Sequence, residues 1–367
     1  MTALHSSEHK RILRLEAMWA VAALCLLMRP AVQAASFVTA DTGLVYLVLA
    51  NGFLGVNLFF ILSGFIIAMS CERLLAAGLG IKAYLRARLL RIYLPYLPVG
   101  IAMLALYSLF PDLRSNPEEV SGIWTSLTLM PSDLSPALSV AWTLVHELIF
   151  YALFCIIFVS RRLLLWVFAL WVVAIGAVWS FQLELSPARS YLLSSINLCF
   201  LLGVGAFYLH RRGMRQGLSL AALAAGLAAV GSQAALSEPM ISIASIGFVL
   251  LVLAGVSPEL ARFAPPGPLI ALGAASYSIY LVHKPVLAAA ARVVNAMGLA
   301  LSAPALMLAL SLPALLAGLL YFYVYEQRAL GYVRQRTRSL SGPTALAAAT
   351  PLAKRDKGIC ETTKDPL

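Results

Sequence analysis

Residues 52–70 read GFLGVNLFFILSGFIIAMS, a run without a single ionisable side chain. It is long enough to cross a hydrocarbon core of about 30 Å as a helix. Comparable runs of about 17 to 25 residues recur along the whole chain. Read between polar breaks, they give spans near residues 15–35, 52–70, 92–110, 139–160, 163–181, 191–209, 217–236, 240–256, 268–290 and 299–325. Composition agrees: of 367 residues, 61% are hydrophobic and 12% charged, far from the balance of a soluble domain. Backbone polar groups in lipid must be satisfied within the chain, so the expected fold is an all-α integral membrane protein with about ten transmembrane helices.

The connections between these runs divide by charge. One set holds Lys10, Arg11 and Arg14, then Arg73, Lys82, Arg86, Arg88 and Arg91, then Arg161 and Arg162, then Arg211, Arg212 and Arg215, then Arg262 and the basic tail from Arg328. The other set is poor in basic residues, and its segment Pro111 to Leu138 carries Asp112, Glu118, Glu119 and Asp133 against Arg114 alone. The positive-inside rule then places both termini in the cytoplasm. All but five of the 27 Lys and Arg residues fall on one side, a sorting that one span more or fewer would scramble. The expected organisation is a cytoplasmic N-terminus (1–14), a transmembrane domain (15–326) and a disordered basic cytoplasmic tail (327–367). The net charge of +11 is topology information and attraction to anionic membrane lipid, and requires no nucleic acid partner. The basic start resembles a signal peptide, but its apolar run continues to transmembrane length and reads as a retained first helix. Five scattered cysteines have no metal-ligand spacing, so they read as small buried hydrophobes with neither a disulfide framework nor a metal site.

Polar groups inside the spans are the functional candidates, because they are costly in lipid. In the second span Gly55, Ser63 and Gly64 permit close helix packing, and Asn57 faces either a neighbouring helix or a water-filled cavity. Arg86, Arg88 and Arg91 precede the third span. They read equally as a topology signal at lipid headgroups or as a phosphate site suited to guanidinium forks. The fourth span opens AWTLVHELIFYALF, with Thr143, Glu147, Phe150 and Tyr151 on one face and His146 about 100° away. In the ninth, ALGAASYSIYLVHKPVL, Ser276, Tyr280, His283 and Leu287 share a face and Pro285 loosens the helix just beyond the histidine. Asn57, Glu147 and His283 share one depth in the ten-span topology, which points to a cavity open to the outside.

Four stretches, GVNLFFILSGF, RARLLRIYLPY, WTLVHELIFY and LGAASYSIYLVH, stand in the order of a known family. With the first span they cover about residues 10–330. The chain resembles the membrane-bound acyltransferase-3 proteins, which O-acylate sugars of bacterial surface and secreted polysaccharides, and the WTLxxExxFY form is similar to the exopolysaccharide branch. The resemblance implies an acyltransferase in the bacterial inner membrane. Acyl-CoA, commonly acetyl-CoA, would serve as donor substrate at the cytoplasmic face, held by Arg88 and Arg91 with Arg86 beside them. The acceptor would be a hydroxyl of a polysaccharide or lipid-linked glycan at the outer face. It places Glu147 and His283 in the polar centre as groups that take the proton of the attacking hydroxyl, with Asn57, Tyr280, Trp142 and Tyr151 as supporting or substrate-contacting residues.

Two departures stand out. The family's first span carries an Arg and, after ten residues, a His; here Trp19 and Pro30 occupy those places, or Met18 and Arg29 in a register shifted by one. Asn57 replaces an acidic residue common in the second-span motif. In LCLLMRPAV (24–32), Arg29 reads either as an interface anchor or as a fixed positive charge for an oxyanion or an anionic acceptor group, since a guanidinium is no base at neutral pH. The leading expectation is an O-acyltransferase whose proton transfer rests on Glu147, His283 or both. The alternative is a catalytically degenerate relative that binds glycan or lipid, or serves in assembly. A secondary transporter is the minor third reading, because the two halves show no clear internal repeat.

Overall fold

The computed structural model describes residues 2–36, 54–113, 121–213, 218–232, 243–257, 260 and 263–340. Among them there is no β-strand. The long helices are α1 (Thr2–Ser36), α2 (Leu54–Ala76) and α3 (Ile81–Leu109), followed by the short α4 (Ile123–Thr128). Then come α5 (Trp142–Phe154), α6 (Arg161–Ser180), α7 (Pro187–Leu193), α8 (Asn197–Arg211), α9 (Leu218–Ser232) and α10 (Ile243–Gly255). The chain continues as α11 (Gly267–Ala274), α12 (Ser276–Ala296) and α13 (Ala303–Tyr321), a π-helical turn (Phe322–Glu326) and α14 (Gln327–Leu340).

Where described, the apolar runs are mainly helical, with the run 191–209 interrupted at 194–196 between α7 and α8 and the run 299–325 helical only from Ala303. Six segments are long and apolar enough to cross a membrane: Leu54–Ala76, Ile81–Leu109, Ser139–Phe158, Arg161–Ser180, Pro187–Arg211 and Ala303–Val333. Leu220–Val230 and Ile243–Gly255 are apolar but shorter. The helices α1 and α12 have the length, at 35 and 21 residues, but are broken by polar groups: Glu16 and Arg29 in one, His283, Lys284 and Arg292 in the other. Burial grades the bundle from centre to rim, with 72% of the apolar stretch of α2 buried against 22% for α6. Leu165, Trp166, Leu170 and Val173 of α6 are exposed, the outward face expected of a helix that meets lipid.

Contacts at the centre depend on small residues. A Cβ on Gly64 would lie 2.1 Å from the carbonyl oxygen of Phe200, and one on Gly203 would lie 2.0 Å from that of Ile61, so α2 and α8 meet backbone to backbone. Pro95 and Pro98 interrupt the hydrogen-bond ladder of α3. Tyrosines from neighbouring helices meet its carbonyls: Tyr325 donates to Leu94 (3.2 Å), the group left unpaired by Pro98, while Tyr321 and Tyr277 donate to Pro95 (2.7 Å) and Ile92 (3.1 Å).

The structure adds detail to the sequence reading at three places. Arg14, counted among the cytoplasmic charges, is buried and donates to the carbonyls of Gly255 (2.5 Å), Leu260 (2.5 Å) and Ser257 (3.4 Å), where it caps the C-terminal end of α10. The tail expected to be disordered from residue 327 is helical to Leu340, because it extends a helix already nucleated by packing; residues 341–367 lie outside the described residues. Within the connection 111–138, α4 packs back on α3. The hydroxyls of Tyr93 and Tyr96 donate to the carbonyls of Thr128 and Ser126 (the latter at 2.6 Å). Tyr93 precedes Leu109 by 16 residues, or about 24 Å, so α4 folds back alongside the middle of α3. Residues 114–120 lie outside the description.

At the opposite end Glu72 ties three helices together. It accepts from Arg211 (2.6 Å), Arg161 (3.1 Å) and the Tyr208 hydroxyl (3.1 Å), joining α2 to α6 and α8.

Candidate active site

The residue spacing of α5 puts Thr143, Glu147 and Tyr151 one turn apart on one face. The Oε1 atom of Glu147 accepts two hydrogen bonds, from the Tyr151 hydroxyl at 2.5 Å and from Ser63 Oγ at 2.9 Å. Two hydroxyl donors on one carboxylate oxygen fix its orientation. The Tyr280 hydroxyl donates to the Val140 carbonyl (2.8 Å) and lies 2.7 Å from Thr143 Oγ1, which locks α12 to the start of α5.

These groups adjoin a cavity between five helices. Trp19 and Leu26 come from α1, Val56, Phe59, Phe60 and Ser63 from α2, Arg91 and Ile92 from α3, Thr143, Leu144 and Glu147 from α5, and Ser276, Tyr277 and Tyr280 from α12. The wall is mostly aromatic and aliphatic, with one cation and one carboxylate set into it. Among the described residues Arg91 makes no hydrogen bond or ion pair, so its guanidinium is available to a ligand.

The basic cluster before the third span divides three ways. Arg86 is exposed, Arg91 lines the cavity, and Arg88 is buried with its guanidinium 5.8 Å from the Tyr84 ring and 5.7 Å from the Tyr151 ring. Tyr151 therefore touches both the arginine element, through its ring, and Glu147, through its hydroxyl.

The other candidates are placed apart. His283 is buried with Nδ1 2.6 Å from the Tyr280 carbonyl, and it is not among the residues lining the cavity. Asn57 points from α2 toward α10, where its Nδ2 donates to Ser245 Oγ at 3.0 Å, and it too is outside the lining. Thus Asn57, Glu147 and His283 do not converge on one space. The reason is angular: six residues separate Asn57 from Ser63, about 240° around a helix, so only one of them faces Glu147. His146 sits 2.9 Å from Asn197 Oδ1, packed against the rings of Phe60, Trp142 and Tyr191. Trp142 thereby supports a neighbour of Glu147 and does not line the cavity. Arg29 lies in electrostatic range of Lys284 across the α1–α12 contact. Pro30 sits inside α1, which runs on to Ser36.

Two site residues had no functional reading in the sequence. Ser63 reads as a packing residue, yet Val56, Phe60 and Ser63 recur at helical spacing on the face that lines the cavity. Trp19 packs tilted against Phe59, with ring centroids 4.9 Å apart, and forms part of the wall.

A helical bundle with a half-buried carboxylate, a cation and hydroxyls around a central cavity suits a membrane group-transfer enzyme. Residues 13–324 match the acyltransferase domain of the acyltransferase-3 family, and the chain belongs to that family. It is an acyltransferase of groups other than aminoacyl groups. The chain is also similar to the exopolysaccharide production protein ExoZ of Rhizobium meliloti (strain 1021), at 30% identity over 314 residues, covering 80% of this chain and 95% of the relative. No solved structure matches the chain.

Proposed function

We propose that the protein is a multi-pass inner-membrane enzyme that moves an acyl group, most simply acetyl, from cytoplasmic acyl-CoA to a hydroxyl of an exopolysaccharide or its lipid-linked precursor. The observation that carries this is the Glu147 carboxylate, held by two hydroxyls in a cavity that also presents Arg91. The polysaccharide class rests on the similarity to an exopolysaccharide production protein. The topology is that of ten spans with both termini in the cytoplasm, which puts the arginine element on the donor's side and leaves the glycan the opposite side.

In this reading Arg88, pinned between two tyrosine rings, presents its guanidinium edge to the phosphates of the donor. Arg91 stands in the cavity where the oxyanion of an attacked thioester would develop. Glu147 accepts the proton of the attacking hydroxyl and returns it to the leaving sulfur. His283, bonded to the Tyr280 carbonyl, sets the position of Tyr280 in the wall.

The test is transfer by the purified protein from radiolabelled acetyl-CoA to the native glycan. Glu147→Gln should lower the rate by about 10²-fold or more, the usual contribution of a general base. His283→Ala should cost less. Equal rates for wild type and Glu147→Gln would refute this assignment.

A further inference from the structure

Among the described residues, Ser63 is the one cavity hydroxyl that bonds the carboxylate from another helix, at 2.9 Å from Glu147 Oε1. A nucleophile needs a base within about 2.6–3.2 Å, and the base in turn needs a third group to orient it. Tyr151 is that third group, donating to the same oxygen at 2.5 Å. A structural explanation, in which Ser63 merely satisfies a half-buried carboxylate, accounts for the hydrogen bond. It leaves unexplained why this hydroxyl also lines a cavity that presents Arg91, which among the described residues makes no hydrogen bond or ion pair.

We infer that Ser63 is an acyl carrier: it takes the acyl group from the donor as an ester and passes it to the glycan in a second step. This deepens the proposed function and rests on it. In the first step Ser63 Oγ attacks the thioester carbonyl carbon as its proton moves to Glu147. The oxyanion forms beside Arg91, the carbon–sulfur bond breaks, and the thiolate leaves with the proton from Glu147. In the second step the sugar hydroxyl attacks the Ser63 ester and gives its proton to Glu147. The bond between the acyl carbon and Oγ breaks, and Oγ recovers that proton. Nothing is oxidised or reduced. Because the ester waits at mid-helix, CoA departs before the glycan arrives and the two substrates need never share the cavity.

The experiment uses the full-length protein in lipid nanodiscs with [¹⁴C]acetyl-CoA and no acceptor. The expected result is one burst of CoA release, label retained on the protein at up to one acetyl per chain, and mass-spectrometric location of the acetyl on Ser63. Adding glycan should discharge the label, and initial rates should give parallel double-reciprocal lines. Ser63→Ala should lose both label and transfer, by about 10³-fold or more, and Ser63→Cys should carry a thioester cleaved by neutral hydroxylamine. Three results would overturn the inference: wild-type protein that transfers without ever retaining label, label on a different residue, or a folded Ser63→Ala protein that transfers within a few-fold of wild type. In each of those the proposed function survives. Absence of any transfer by the wild type removes both.

Discussion

At the scale of single residues, Tyr151 connects two parts of the site that the sequence presents as separate motifs. Its hydroxyl holds Glu147 and its ring faces Arg88. Tyr151→Phe keeps the ring and removes the hydroxyl, so its effect should fall on the chemistry. A hydrogen bond to a charged group is worth about 1.5–3 kcal/mol, and kcat should drop by about ten- to a hundredfold with the donor KM nearly unchanged. Arg88→Gln should do the reverse and raise the donor KM. Steady-state kinetics in nanodiscs separates the two, and a donor KM that moves with Tyr151→Phe would count against this division. Glu147 was legible in the sequence because a carboxylate in an apolar run is expensive and demands a reason. Ser63 was not, because a serine beside glycines reads equally well as packing. Only its bond across to α5 distinguishes the two.

At the scale of elements, helices are held together by few but specific contacts. The α2–α8 crossing has no room for a side chain at Gly64, so Gly64→Ala should force the helices apart and destabilise the protein by about 1–3 kcal/mol. Arg14→Met should cost a similar amount, since it strips the donor from three carbonyls around the end of α10. Thermal unfolding in detergent measures both, with Arg212→Gln, an exposed arginine, as a control expected to stay within about 0.5 kcal/mol. The apolar runs foretold the helices well, because hydrophobic length is a local property. The exceptions are informative: α4 folds back along α3 since Tyr93 and Tyr96 offer it hydroxyls there, which no window of residues 111–138 reveals.

For the whole molecule, the charge asymmetry of the connections carries the orientation. A reporter active only in the cytoplasm should work when fused after residue 367, and one active only outside should work when inserted at Gly298, between α12 and α13; the opposite pattern would reject the ten-span topology. Membrane class, helix content and the acyltransferase family are written in the sequence by itself, because hydrophobicity, periodicity and ordered motifs are properties of the linear chain. The membership of the site is a different kind of fact. Whether Asn57, Ser63 or His283 meets Glu147 depends on how far each helix is rotated about its axis, and small residues such as Gly64 and Gly203 set that rotation through contacts between distant segments. Only the tertiary structure therefore decided that Ser63, Arg91 and Tyr280 share a cavity with Glu147, while Asn57 and His283 turn to other neighbours.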